Sequence, residues 1–421
     1  MLRRFSRDLR LFLITAAVVS LTWDGIRAVL FNLYLLRLGY GPEFIGVING
    51  VGAFAFALLC PLAGAMGTRW ASRRMLQVGI VLLSLGFLLT PVAELMAGAW
   101  STGWLLATSV LSHMGLASYL VNGLPFMMGA TEPMERNHAF SVHSAVVPLS
   151  GFVGSLVAGA LPGALARLPD VAPGAVAAYR FPLWLAALLL VPGMWAVLST
   201  RSGAGPLMET ASGGVSETQS SRAPYPYGLV AAIALIMALR FGGRGTTSTF
   251  FNVYLDEGLG VSTALIGVLL ATSQLLSAMA ALAAPLLMER WGTSRAIVWG
   301  TAGVALWMIP LALIPHWAWA GLGFAGAMAM FAATMGPIRV FSQEMVVPHW
   351  RATMASAYMM GAGLAYAGLS LAGGYVIVAL GYRSLFLGAA GLMAAGAIVF
   401  WGCFRVPRGE LASRSPLGRI D

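Results

Sequence analysis

Four charged residues lie in the middle of long apolar runs: Asp24 and Arg27 in the first run, Arg240 and Arg244 in a later one. A charge at the centre of a membrane span costs at least about 2.5–3.5 kcal/mol, so each needs a partner or a watery cavity. Spacings of three and four put each pair on one helical face. Arginine offers a planar fork of donors suited to carboxylate or phosphate, and a carboxylate in an apolar setting can carry a proton. Three uses stay open. Asp24 pairs with Arg27 or Arg244 as a structural or gating ion pair; the arginines hold an anionic part of a solute; or Asp24 carries a coupling proton, which nearby arginines would oppose. His113, Asn122, Gln274 and Arg339 are further polar candidates at depth, and His143 is a packed or solvated histidine or a proton relay.

Other chemistries are excluded by residue type. All 25 basic residues are arginine, so no phosphate-binding Gly-x-x-x-x-Gly-Lys loop exists. No Cys/His spacing suggests a metal, no catalytic triad is evident, and Cys60 and Cys403 read as free thiols. The expectation is no enzyme, no cofactor and no metal. The net charge of +10 does not point to nucleic acid, because most of the arginine sits at the ends of apolar runs.

Those runs must position the charges. Hydrophobic residues make up 59% of the 421 positions and charged residues 10%, against about 25% charged in a soluble domain. Runs of roughly 20–30 residues are long enough to cross a bilayer core of about 30 Å. They predict twelve helices, at 11–36, 43–67, 74–97, 102–130, 138–166, 181–200, 226–255, 262–288, 294–314, 317–344, 350–379 and 383–404. With the N-terminus inside, seventeen arginines fall on the cytoplasmic side and four outside, a clear positive-inside bias. A multi-pass protein of the cell inner (plasma) membrane follows, with both termini cytoplasmic. The basic N-terminus leads into a run too long for a cleaved signal.

The chain also repeats itself. Phe31-Asn32-Leu33-Tyr34-Leu35 returns as Phe251-Asn252-Val253-Tyr254-Leu255, Ile45-Gly46-Val47 as Ile266-Gly267-Val268, and Arg69-Trp70 as Arg290-Trp291. Pro133, Arg136 and Ser141 match Pro348, Arg351 and Ser356, and Tyr179-Arg180 matches Tyr382-Arg383. Matches in unbroken order mean two copies of one unit. At the first offset, Asp24 corresponds to Arg244. The domain reading is an N-terminal six-helix bundle at 1–200, a linker at 201–225 rich in Ser, Gly, Thr and Pro, a C-terminal bundle at 226–405 and a cytoplasmic tail at 406–421. Two related membrane halves suggest a transporter, since halves that rock can expose a site to either side in turn.

Between helices 2 and 3, Gly64-Ala65-Met66-Gly67-Thr68-Arg69-Trp70-Ala71-Ser72-Arg73-Arg74 resembles the G-x-x-x-D-R-x-G-R-K loop of the major facilitator superfamily. Gly64, Arg69 and Arg73 fit; Thr68 replaces the acid and Ala71 the second glycine. The second-half copy, Glu289-Arg290-Trp291-Gly292, keeps both. The resemblance implies that this fold, two pseudo-symmetric six-helix bundles, covers nearly the whole chain. It implies cavity-lining roles for helices 1, 4, 7 and 10, and a cytoplasmic gate drawn from Gly64, Arg69, Arg73, Glu132, Glu135, Arg136, Glu289, Arg290 and Arg351, with Glu132 or Glu135 standing in for the missing acid. The expected function is secondary active transport of a small organic solute, drug-like or a metabolite, by alternating access with proton-coupled export or exchange, in a monomer that meets only its solute, protons and the lipid bilayer. Uptake of an organic anion on the intramembrane arginines, or a lipid-handling or sensing role, are the alternatives.

Overall fold

The computed structural model describes residues 5–96, 98–132, 134–167, 172, 174–200, 227–347 and 350–405. The linker at 201–225, the tail at 406–421, and Pro133 and Pro348 of the repeat lie outside them. Among the described residues all regular structure is helical, in eleven helices long and apolar enough to span a membrane. In order they are α1 (Arg7–Arg37), α2 (Pro42–Trp70), α3 (Ser72–Leu95), α4 (Ala99–Gly129), α5 (Arg136–Leu165), α6 (Val176–Leu198), α7 (Tyr227–Gly258), α8 (Thr263–Trp291), α9 (Thr293–Leu313) and α10 (Trp317–Glu344), followed by Arg351–Phe404. The last breaks at Gly381, where φ is 79°, so it makes two passes, α11 (351–380) and α12 (382–404). The twelve passes match the predicted runs to within a few residues.

Local chemistry sets the ends. Ser6 caps α1 by accepting from the Leu9 N–H at 3.2 Å, with Asp8 in the first turn. Pro42 opens α2, where its missing N–H costs nothing. The α2–α3 turn has a left-handed residue, Ala71, at φ 67°; its counterpart in the α8–α9 turn is Gly292, at φ 75°. The repeat thus keeps the turn but puts a Cβ where glycine is favoured. Ala71→Gly is expected to raise stability by about 1 kcal/mol, since relief of the strain exceeds the added chain entropy. A thermal midpoint that stays put or falls would contradict it.

The helices form two compact units. One holds α1–α6 together with Thr249–Leu275 of α7 and α8; the other holds α7 up to Ser248 and everything from Leu276 onward. Membrane helices gain little from burying apolar surface against each other, so close approach of small residues matters most. In the first unit a Cβ on Gly25 would lie 2.5 Å from Gly154 Cα, and one on Gly267 would lie 2.6 Å from Gly159 Cα. Helix α5 is thereby backbone-to-backbone with both α1 and α8.

The sequence echo has a structural cause in this unit. Asn32 on α1 donates to the Thr249 carbonyl on α7 at 2.7 Å, and Asn252 on α7 donates to the Ala28 and Val29 carbonyls on α1 at 3.1 and 3.0 Å. Asn49 of α2 completes the buried set, donating to Asn32 Oδ1 at 3.0 Å. Each helix has a π-helical stretch, Leu21–Arg27 in α1 and Tyr254–Gly258 in α7, an arrangement that recurs at functional sites.

Candidate functional site

The first unit gathers four of the sequence candidates around the π-turn of α1. Asp24 is exposed, and its Oδ2 accepts from Ser20 Oγ at 2.8 Å. Gln274 of α8 donates to the Asp24 carbonyl and to Ser155 Oγ of α5, both at 2.8 Å. Arg27 is held between aromatic faces, 4.3 Å from the Trp23 ring and 4.3 Å from the Phe31 ring, an arrangement that stabilises a cation. Trp23 meets His113 edge-on with centroids 5.0 Å apart. His113 is buried, and its Nδ1 lies 2.8 Å from the Ser109 carbonyl. A carbonyl only accepts, so that nitrogen carries the proton of the bond. The π-turn takes more residues per turn than an α-helix, so Asp24 and Arg27 are not the single α-turn apart that the spacing predicts.

The remaining candidates lie elsewhere. Asn122 is buried and donates to the Ala63 carbonyl of α2 at 3.2 Å and to Ser118 at 3.0 Å; it ties α2 to α4. His143 stacks on Phe12 at 5.8 Å. Arg339 is exposed on α10. Arg240 and Arg244 belong to the second unit. Arg240 is 1% exposed and donates through Nη2 to Thr334 of α10, and the two guanidinium carbons lie 5.3 and 5.1 Å from the Phe331 ring.

The two ends of the helices differ in their charges. At the end assigned to the exterior by the arginine count, Arg37 of α1 makes a two-bond ion pair with Asp256 of α7, at 2.8 and 2.7 Å. Arg37 also donates to Tyr179 Oη at 3.3 Å, which lies 2.9 Å from Thr263 Oγ1. Arg180 of α6 pairs with Glu94 of α3 at 2.8 Å, and Tyr34 donates to the same carboxylate at 3.1 Å. A cleft of about 690 Å³ opens beside the first pair, lined by Arg37, Gly163, Tyr179, Asp256 and Thr263. At the opposite end, Arg69, Glu132, Glu289, Arg290 and Arg351 are exposed, and Glu135 and Arg136 are partly so. Arg73 donates to the Leu198 carbonyl at 3.4 Å, and a Cβ on Gly64 would meet Val121 at 3.6 Å. Among the described residues the ion pairs are Arg37–Asp256 and Arg180–Glu94, which include none of these charges.

Sequence reasoning missed Arg37 and Asp256 as partners. A signal was present: just after the echoed Leu35 and Leu255, the repeat diverges into Leu36-Arg37 in one copy and Asp256-Glu257 in the other.

The family model of the Major Facilitator Superfamily matches residues 12–364 and 233–419. No curated protein matches the chain in sequence. Solved structures are similar in fold. The nucleoside transporter NupG superposes with a TM-score of 0.70 at 14% identity, over 95% of this chain and 100% of its own. A D-xylose-proton symporter gives 0.71 at 15%, over 94% and 95%. A bacterial homologue of the human lysosomal transporter Spinster, inward-facing and occupied, gives 0.69 at 16%, over 94% and 96%.

Proposed function

Because the chain belongs to the Major Facilitator Superfamily, a family of membrane transporters, we propose that it moves a small organic solute across the cell inner membrane by alternating access, as a proton-coupled exporter or exchanger with both termini cytoplasmic. Its two six-helix halves, 1–200 and 226–405, rock about the solute. The observation that carries this reading is the asymmetry of the ends. The outer ends of α1 and α7 are joined by the Arg37–Asp256 pair and by the reciprocal bonds of Asn32 and Asn252, while Arg69, Glu132, Glu289, Arg290 and Arg351 at helix ends assigned to the cytoplasm are exposed. In this reading the Arg37–Asp256 pair is an outer gate. Among the matched structures one is an inward-facing Spinster homologue and another a D-xylose-proton symporter.

In this reading Asp24 is the proton carrier. It is exposed in the π-turn of α1, where its Oδ2 accepts from Ser20 Oγ at 2.8 Å. Gln274 holds its backbone from α8, so protonation at Asp24 acts where α1, α5 and α8 meet. The test is external pH in proteoliposomes while a panel of organic anions and lipophilic cations is added, with Asp24→Asn alongside. A proton signal with one class, lost in Asp24→Asn, is the expected result. A signal that survives in Asp24→Asn would move the proton site elsewhere.

A further inference from the structure

We infer that Arg240, with Arg244, Thr334 and Tyr358, forms a site for the carboxylate or phosphate group of a soluble solute. Arginine stays protonated in proteins, and a buried charge persists only where something of opposite sign or a hydrogen-bond partner meets it. Arg240 is 1% exposed. Tyr358 of α11 lies within electrostatic reach of it, and the Arg240 Cγ would lie 3.3 Å from a Cβ on Gly396 of α12. Of its three guanidinium nitrogens only Nη2 is used, and its partner is a neutral hydroxyl, Thr334 Oγ1. That hydroxyl already donates to the Phe331 carbonyl at 2.9 Å. Nε and Nη1 of Arg240 have no hydrogen-bond partner among the described residues, and neither has the buried hydroxyl of Tyr358 on α11.

Among the described residues the second unit has no buried carboxylate to neutralise this charge. Its described carboxylates are Glu289 and Glu344, both exposed at helix ends. Glu344 lies ten residues beyond Thr334 on α10, roughly 15 Å of helix away. Arg244, one turn along α7, adds a second cation 5.1 Å from the same Phe331 ring and makes no ion pair among the described residues. Two guanidinium groups one turn apart, two unused N–H directions on the buried one and an unused phenol hydroxyl together match the several acceptors of an oxyanion. The neutral aromatic wall of Phe331 and Phe241, whose centroids are 5.3 Å apart, suits an apolar remainder. An intramembrane ionisable group left in this state marks a ligand site.

This assignment gives the solute class to the proposed transporter and rests on that reading, but its test does not need transport. Purified protein in neutral detergent is titrated with sodium acetate, succinate or phosphate at fixed ionic strength, with sorbitol as the neutral control. Thermal midpoint and tryptophan fluorescence report binding. At least one anion is expected to raise the midpoint in a saturable way, and Tyr358→Phe to weaken its affinity about tenfold or more. Arg240→Met is expected to abolish the response and to leave the anion-free protein as stable as the parent or more so, because an uncompensated buried charge is removed. The assignment is overturned if Arg240→Met is much less stable without anion, if no anion acts on the parent, or if only micelles doped with phosphatidylglycerol do, which would make the ligand a lipid headgroup. Anion binding without flux would overturn transport and leave the site standing. Flux of neutral solutes untouched by Arg240→Met would do the reverse.

Discussion

Asp256→Arg is expected to open the outer end of the protein, and the charge swap Arg37→Asp/Asp256→Arg to close it again. The wild-type pair is bidentate, with both oxygens of Asp256 engaged at 2.7–2.8 Å. It is partly buried, with side chains 27% and 10% exposed, so it lies between a surface pair, which contributes little, and a buried one, whose disruption leaves an uncompensated charge. Placing two arginines there replaces attraction by repulsion. A change of about 1.5–3 kcal/mol shifts the open-to-closed ratio by roughly 10–100-fold. The readout is a single cysteine at Ala28, one turn deeper than Asn32, in a background of Cys60→Ser and Cys403→Ser. A membrane-impermeant thiol reagent applied outside should label it about tenfold faster or more in Asp256→Arg, and at the parental rate in the swap. Equal labelling in all three would mean that the pair only decorates the surface.

The second large effect is steric. A Cβ on Gly267 would lie 2.6 Å from Gly159 Cα, 2.6 Å from Ser155 O and 2.9 Å from Gly159 N. These are backbone atoms, so no rotamer change relieves the clash, and α5 and α8 must separate. Overpacking of this kind costs about 1–3 kcal/mol or more. Gly267→Val should therefore abolish transport and label Ala28→Cys from outside as strongly as Asp256→Arg does, with no charge altered. Gly163, one turn along α5 and also beside the outer cleft, has nothing within 4 Å of an added Cβ. Gly163→Val should behave as the parent. If Gly267→Val transported normally, the contact would not be a closing surface.

The fold was legible because its signals are long and redundant. Runs of apolar residues and the Phe31–Leu35 echo both report the same architecture. The break at 380–382 was legible too, since a helix of double length cannot cross a bilayer once. The π-turns were not legible. Leu21–Arg27 and Tyr254–Gly258 differ from α-helix by one residue of hydrogen-bond register, and nothing in residue type announces that. Asp24, Arg27, His113 and Gln274 were found by being polar at depth, but their links run through Trp23 and a backbone carbonyl, which polarity alone does not reveal. Arg37–Asp256 spans 219 positions and reads in sequence as two ordinary loop charges. The grouping of Thr249–Leu275 with α1–α6 arises from contacts of glycine backbones and amides, which composition does not rank above any others.

Alternating access has one direct signature. Proteoliposomes are loaded with the labelled solute identified by the external pH panel, and its exit is followed with and without unlabelled solute outside. The account predicts that outside solute speeds the exit several-fold in the parent protein and not in Gly267→Val, because each carrier turn returns faster when occupied. Exit that ignores outside solute, or that Gly267→Val leaves unchanged, would contradict it.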